Sequence, residues 1–427
     1  MQKSGLKSFP KNFWTVIVME FFERGSYYGV MSVLSVFLVL SVNEGGLGFS
    51  KESVGVIKSV ITPLLYILPI VSGAIADRFG YRKTLFFAFS VMSLGYFFTS
   101  ISTSYTTVFM SLLLMVLGAG VFKPIISGTI ARTTNSSNST LGFGIFYWSI
   151  NLGAFLFPLF LIPALKQLGW NYIFIMAAVG TGWLLLLNLF VYKEPQRPQT
   201  QKSLIQVLKE MILVIRDYKF ILMIVIYSGF WILYFQMFDT VLWYLKEYMD
   251  MTPVDNFVNS VLANFTANPN WKFDAEHVTV INAGTIIAFQ LIISSIVKNT
   301  KALPTMIFGI ALGTIGMGVL AISSHAWVFL LGMMIFSIGE MTAHPKFISY
   351  IGLIAPEDKK ALYLGYSFLY GVIGSGIGGI LGAFAYVRFV TEMGRPSLLW
   401  FMFSLIGVAT IIGLFLFNKY LSPKKNI

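Results

Sequence analysis

Apolar stretches of about 20 residues follow one another along the whole chain, and that is the length a helix needs to cross roughly 30 Å of hydrocarbon. Inside lipid a segment has to satisfy its own backbone hydrogen bonds, so each stretch reads as a membrane-spanning helix. They fall at 13–40, 53–76, 84–103, 105–131, 141–164, 170–192, 219–246, 277–297, 303–323, 326–354, 362–388 and 396–420. The chain is thus expected to be an all-α membrane protein of twelve transmembrane helices. Of its 427 residues, 56% are apolar and only 11% charged, too few polar side chains to clothe a soluble globule of that size. A soluble enzyme is excluded. The first stretch is too long and too charged for a cleaved signal peptide, and it lacks a small-residue cleavage site. With no cysteine and only His277, His325 and His344, a disulfide framework and a thiol nucleophile are ruled out, and no metal site or haem is expected.

The net charge of +12, from 30 Lys+Arg against 18 Asp+Glu, would suggest a nucleic-acid partner in a soluble chain. Its distribution argues otherwise. If both termini are cytoplasmic, twenty bases lie inside and seven outside (Lys51, Lys58, Lys166, Lys246, Lys272, Arg388 and Arg395), leaving Arg24, Lys123 and Lys346 within helices. That excess obeys the positive-inside rule. The reading is a multi-pass protein of the cell membrane with the lipid bilayer as its surroundings and no nucleic acid. Two six-helix halves, 1–193 and 219–427, are joined by a basic cytoplasmic linker, 194–218, which is too short for further spans. Within it, 203–215 has the pattern of an amphipathic surface helix. A plan of six plus six helices is typical of transporters built from repeats.

Charge inside the spans is the sharpest signal. In Glu20-Phe21-Phe22-Glu23-Arg24-Gly25-Ser26-Tyr27-Tyr28-Gly29, a helical period places Glu20, Glu23, Arg24, Tyr27, Tyr28 and Met31 on one stripe. Three ionised groups near mid-membrane cost about 8–10 kcal/mol, which the helix's own apolar residues barely offset. They therefore face a wet cavity or are paired. Glu20 and Arg24 stand one turn apart, so one carboxylate pairs with the guanidinium and the other is left for a proton.

Lys123 follows glycines at mid-helix and is either a functional cation or a lysine snorkelling to the interface. Asn151 is a ligand donor and acceptor or helix–helix glue. Glu340 and His344 are four apart before Pro345, a break expected to free backbone groups, and are candidates for proton exchange. Asp239, one turn beyond Gln236, faces the cavity or is merely solvated at the outer mouth. The turn Gly73-Ala74-Ile75-Ala76-Asp77-Arg78-Phe79-Gly80-Tyr81-Arg82-Lys83 carries opposite charges between the second and third helices. It resembles the cytoplasmic signature of the major facilitator superfamily, which implies a gate role for Asp77, Arg78 and Arg82.

Together these segments resemble the proton-coupled oligopeptide transporter family of that superfamily. Glu20-x-x-Glu23-Arg24 followed by Tyr27-Tyr28-Gly29 matches its first-helix motif, and Phe146-Tyr147-x-x-Ile150-Asn151-x-Gly153 its fifth-helix signature. Lys123-Pro124, Tyr66 before Pro69, Phe230-Trp231 with Gln236, Asn282, and Gly339-Glu340 fall in matching helices. The resemblance implies proton-coupled import of di- and tripeptides by alternating access, with the proton as coupling ion, no other cofactor, and a monomer. It implies proton coupling by Glu20, Glu23, Arg24, Lys123 and Glu340. Substrate would meet Arg24 and Lys123 at its carboxylate, Glu340 at its amine, and Tyr27, Tyr28, Tyr66, Asn151, Trp231, Gln236, Asn282 and His344 elsewhere.

The family pattern is broken in places. Met31 stands where it has an arginine and Phe235 where it has a glutamate, the two partners of an outer gate, and Leu353 replaces a lysine. The two extra helices that many bacterial relatives carry are missing. Asp239 and His344 are expected to replace the lost acid in part. A carrier for another small zwitterion or anion, and a membrane enzyme or receptor, are the competing readings.

Overall fold

The computed structural model describes residues 5–135, 138–195, 204–356 and 359–422. The rest of the linker (196–203), with Arg197 and Lys202, lies outside the described residues, as do Lys3, Lys424 and Lys425 of the charge count. Every regular element among the described residues is helical. The α-helices are α1 Lys11–Val39, α2 Lys51–Phe79, α3 Tyr81–Ile101, α4 Tyr105–Thr133, α5 Ser139–Leu156, α6 Ile162–Leu168, α7 Trp170–Gly182, α8 Leu184–Phe190, α9 Leu204–Ile215, α10 Tyr218–Phe235, α11 Thr240–Tyr248, α12 Thr252–Leu262, α13 Glu276–Val297, α14 Ala302–Gly318, α15 Ala326–Ile354, α16 Lys360–Tyr366, α17 Leu369–Tyr386 and α18 Pro396–Tyr420. Among the described residues, eleven helical spans, some joining consecutive elements, are long and apolar enough to cross a membrane. The first, α1, has the length at 29 residues but carries Glu20, Glu23 and Arg24, and it completes the expected twelve. Large apolar side chains face outward along these helices, as Leu291 does at 83% exposed, which suits lipid and not water.

Helix ends follow local chemistry. Ser104 caps α4 by accepting from the Thr107 N–H, and the Asp217 carboxylate accepts from Lys219 and Phe220 at the start of α10. Gly80 (φ +97°) makes the turn from α2 into α3, a backbone position that disfavours any side chain. The linker segment forms α9, as its amphipathic pattern predicts.

Two compact units are present. One holds Met1–Met31, Leu40–Gly48 and Val60–Arg216; the other holds Ser32–Val39, Phe49–Ser59 and Asp217–Ile427. Each packs its helices through small residues, as apolar helices in lipid must, since close backbone approach replaces the hydrophobic effect. In the first unit a Cβ on Gly118 would stand 2.5 Å from the Ala88 carbonyl oxygen; in the second, one on Gly339 would stand 2.5 Å from the Gly313 amide nitrogen.

Two expectations about helix breaks are corrected. Pro345 does not interrupt its helix, because α15 runs unbroken from Ala326 to Ile354. The expected seventh helix, 219–246, does break: α10 stops at Phe235, a 3-10 turn covers Gln236–Phe238, and α11 starts only at Thr240. No proline or glycine marks that point. Asp239 is not solvated but buried, with Lys58 Nζ 3.2 Å from its carboxylate. Lys58, counted above among the outer bases, is therefore inside the protein.

Candidate functional site

In the first unit the charged run of α1 forms a buried cluster. Glu20, Glu23 and Arg24 expose 4%, 0% and 5% of their side chains. The carboxylate that holds Arg24 is Glu23, which accepts from both Nε and Nη2 (2.6 Å) of the guanidinium. Spacing alone favours Glu20, but the long arginine side chain reaches round to its chain neighbour, and the two-pronged geometry outweighs the helical register. Glu20 lies 3.7 Å away and its Oε2 is buried with no hydrogen-bond partner. So one acid is locked in an ion pair, and the other has a bare oxygen on which a proton would sit without competing for Arg24. The Tyr27 ring covers the guanidinium at 4.9 Å and meets Tyr28 edge-on at 5.2 Å.

Lys123 is half-buried with its Nζ 5.2 Å from the Tyr66 ring centre, and it feels the charges of Glu20 and Glu23. Tyr96, which sequence reading misses, is fully buried with an unpartnered phenol beside Glu23, Arg24 and Tyr27. Nothing in an apolar helix distinguishes such a tyrosine from a core residue.

The fifth-helix signature acquires a physical reason. A Cβ on Gly153 would stand 2.7 Å from the Phe21 carbonyl oxygen and 2.9 Å from the Gly25 nitrogen, so only glycine lets α5 press against the charged turn of α1. That contact fixes the depth of Asn151, which is buried and donates to the Tyr147 carbonyl of its own helix (2.9 Å).

In the second unit, Asn282 of α13 donates to the Glu340 carboxylate (2.9 Å) and to Ser337 (3.0 Å), both on α15. His344 lies 3.3 Å from the Tyr227 hydroxyl through Nδ1, with the rings of Trp231 and Tyr370 at 5.3 and 5.6 Å. Glu340 and His344 thus have different partners, and among the described residues no hydrogen bond joins them. Trp231 is buried, with its ring 6.4 Å from that of Tyr227. Gln236 is 1% exposed, donates to the Ile232 and Gly378 carbonyls, and accepts from Thr240. Its amide N–H groups fasten α10 to α17.

The three turn residues have separate partners. Asp77 pairs with Arg132 of α4 at 2.9 Å. Arg82 donates to the carbonyls of Asn188 (3.1 Å) and Leu189 at the end of α8, and Arg78 stacks on Phe79 at 5.8 Å. Glu194, not foreseen as a partner, caps α3 by accepting from the Tyr81 and Arg82 amides, both at 2.7 Å.

A family model described as the Major Facilitator Superfamily matches residues 16–267, more than half of the chain. The chain belongs to the Major Facilitator Superfamily. Among curated relatives of this superfamily member, an uncharacterised transporter, YclF, of Bacillus subtilis (strain 168) is 33% identical over 193 residues, 44% of this chain and 38% of that protein. A di-/tripeptide transporter of Lactococcus lactis subsp. lactis is 29% identical over 211 residues, 45% of this chain and 42% of that one. The matched stretch is thus well under half of those relatives' own length. Whole-chain likeness comes from solved structures. A POT family transporter in complex with 5-aminolevulinic acid superposes with a TM-score of 0.79 at 21% identity, covering 99% of each chain. A peptide transporter POT in complex with sulfate gives 0.77 at 22%, over 98% of this chain and 95% of that one. The fold is that of these transporter structures, and the curated relatives are named as transporters too, which removes the enzyme reading.

Proposed function

We propose that this superfamily member is a proton-coupled importer of di- and tripeptides in the cell membrane, with both termini cytoplasmic. It works as a monomer whose only cofactor is the coupling proton. The observation that carries the reading is the buried cluster of α1, where Glu23 neutralises Arg24 while Glu20 keeps one oxygen without a partner. A proton arriving at Glu20 removes the second negative charge of the cluster and strengthens the field of Arg24 and Lys123 on an anion. A peptide carboxylate is such an anion, and its binding is thereby tied to protonation. In the second unit, Glu340, held by Asn282, is an acid suited to a peptide ammonium. The names of one curated relative, a di-/tripeptide transporter, and of one fold neighbour, a peptide transporter, support the same substrate class. Asp77, Arg78 and Arg82, tied within the first unit, are proposed to rigidify the inner turn that closes against cytosol.

Purified protein in liposomes, given radiolabelled di- and tripeptides with and without an inward proton gradient, tests this. Gradient-dependent accumulation is expected. Uptake of no peptide under either condition, with uptake of some other zwitterion from a metabolite panel, would replace the cargo.

A further inference from the structure

The break in the expected seventh helix has a chemical occupant. Asp239 (φ −137°, ψ −91°) stands outside helical geometry between the 3-10 turn and α11. Three groups converge on it. Lys58 of α2 places Nζ 3.2 Å from Oδ1, the two side chains being 5% and 9% exposed. The Ser35 hydroxyl of α1 reaches both that same Oδ1 and the Phe238 carbonyl (2.7 Å). The Trp243 indole donates to the Ser35 carbonyl at 3.0 Å. Beside this knot α2 meets α17 backbone to backbone: a Cβ on Gly55 would stand 2.4 Å from the Ala383 Cβ and 2.7 Å from the Gly379 carbonyl oxygen. Two turns along α2 from Lys58, Lys51 makes a second rung with Glu247 (2.7 Å), but there the carboxylate is 39% exposed. A partly exposed pair contributes little. The buried rung is the one with consequences.

A buried ion pair rarely outperforms apolar packing of the same volume as a source of stability, so its presence among the aromatic and aliphatic residues of this unit asks for another reason. The segments it fastens supply one. Ser32–Val39 and Phe49–Ser59 belong to the compact unit of Asp217–Ile427, while the remainder of α1 and α2 belongs to the other unit. Both helices therefore pass from one packed body to the other within their own length, and the knot sits on the stretch beyond the crossing.

We propose that Lys58 and Asp239 are positioning residues of the transport cycle. Their pairing holds the outer ends of α1 and α2 on the α10–α11 break while substrate is enclosed, and it parts when the outer side opens. A charge pair suits this task because it is nearly balanced in both states: dry, each ion is neutralised by the other; open, each is hydrated by entering water. An apolar pair would favour the closed state alone. The inference rests on the carrier reading above and supplies an outer charge pair for a chain in which Met31 and Phe235 are apolar.

The chain has no cysteine, so Ser32→Cys, at a fully buried position on α1, gives a single reporter thiol. Its reaction with a membrane-impermeant maleimide in proteoliposomes is read alongside transport kinetics. Asp239→Asn is expected to speed labelling and lower kcat, each by about tenfold or more, with KM moving less than about threefold. The double variant Lys58→Met/Asp239→Leu is expected to label more slowly than the parent and to lose kcat, since the closed state gains. The exchanged pair Lys58→Asp/Asp239→Lys is expected to restore kcat to within about threefold. Parent-like labelling and kcat in the double variant, or an exchanged pair as impaired as Asp239→Asn, would overturn the proposal. If Asp239→Asn does not fold, those two variants still decide. Labelling needs no substrate, so a parent that moves no peptide would sink the proposed function and leave this inference standing on the thiol rates.

Discussion

Glu20 and Glu23 differ by three positions and by everything that matters for a proton. Glu23 forks onto Arg24, so neutralising it strands a guanidinium in an apolar interior at a cost of about 3–5 kcal/mol. Glu23→Gln is expected to lower the unfolding midpoint and the yield of monodisperse protein. Glu20 has no such tie on Oε2. Glu20→Gln is expected to fold normally and lose gradient-driven uptake by about tenfold or more, while substrate counterflow, which needs no net proton movement, persists. Driven uptake by Glu20→Gln at the parent's rate would remove Glu20 from the proton path. The sequence motif named all three residues, yet it did not tell which acid is bound and which is bare. That division depends on where a flexible arginine settles, and helical spacing does not encode it.

At the scale of elements, spans were legible because a length of apolar residues is a property of the chain alone. Their ends agree with the expected ones to within a few residues. Interruptions were not legible in the same way. Pro63, Pro69, Pro124 and Pro345 all lie inside continuous helices, where neighbouring helices support the freed backbone groups. The break between α10 and α11 meets partners from α1 and α2 that stand far off in sequence, Ser35 and Lys58, and no local residue announces it. Glycines speak more plainly. Gly118, pressed on Ala88 and Met92 backbone, and Gly144, with no atom within 4 Å of a built Cβ, give opposite expectations. Gly118→Leu is expected to destabilise by about 1–3 kcal/mol through overpacking. Gly144→Ala is expected to be neutral or to stabilise by at most about 1 kcal/mol, leaving the thermal midpoint unchanged or raised. Equal midpoints for both variants in detergent would contradict the packing described.

For the whole molecule, the relocation of Lys58 changes the account of charge. Away from the ends of the spans, Arg24, Lys58, Lys123 and Lys346 now stand against Glu20, Glu23, Asp239 and Glu340, so four bases meet four acids and the formal charges within the spans cancel. The excess of +12 therefore belongs to the loops, where it orients the protein in the proposed sense. Neutrality inside has an electrical outcome. In the proposed cycle a zwitterionic peptide adds no net charge and a single proton on Glu20 adds one, so the loaded protein would move a positive charge inward and the empty one would return without any. Each such charge gains about 2.3 kcal/mol per 100 mV of membrane voltage. Proteoliposomes clamped negative inside by a potassium gradient and valinomycin, with equal pH on both sides, are expected to take up peptide faster than unclamped ones and to pass an inward current on a solid-supported membrane. Uptake indifferent to voltage would mean that the proton's charge is cancelled on the way, and that the bare oxygen of Glu20 is not where it rides.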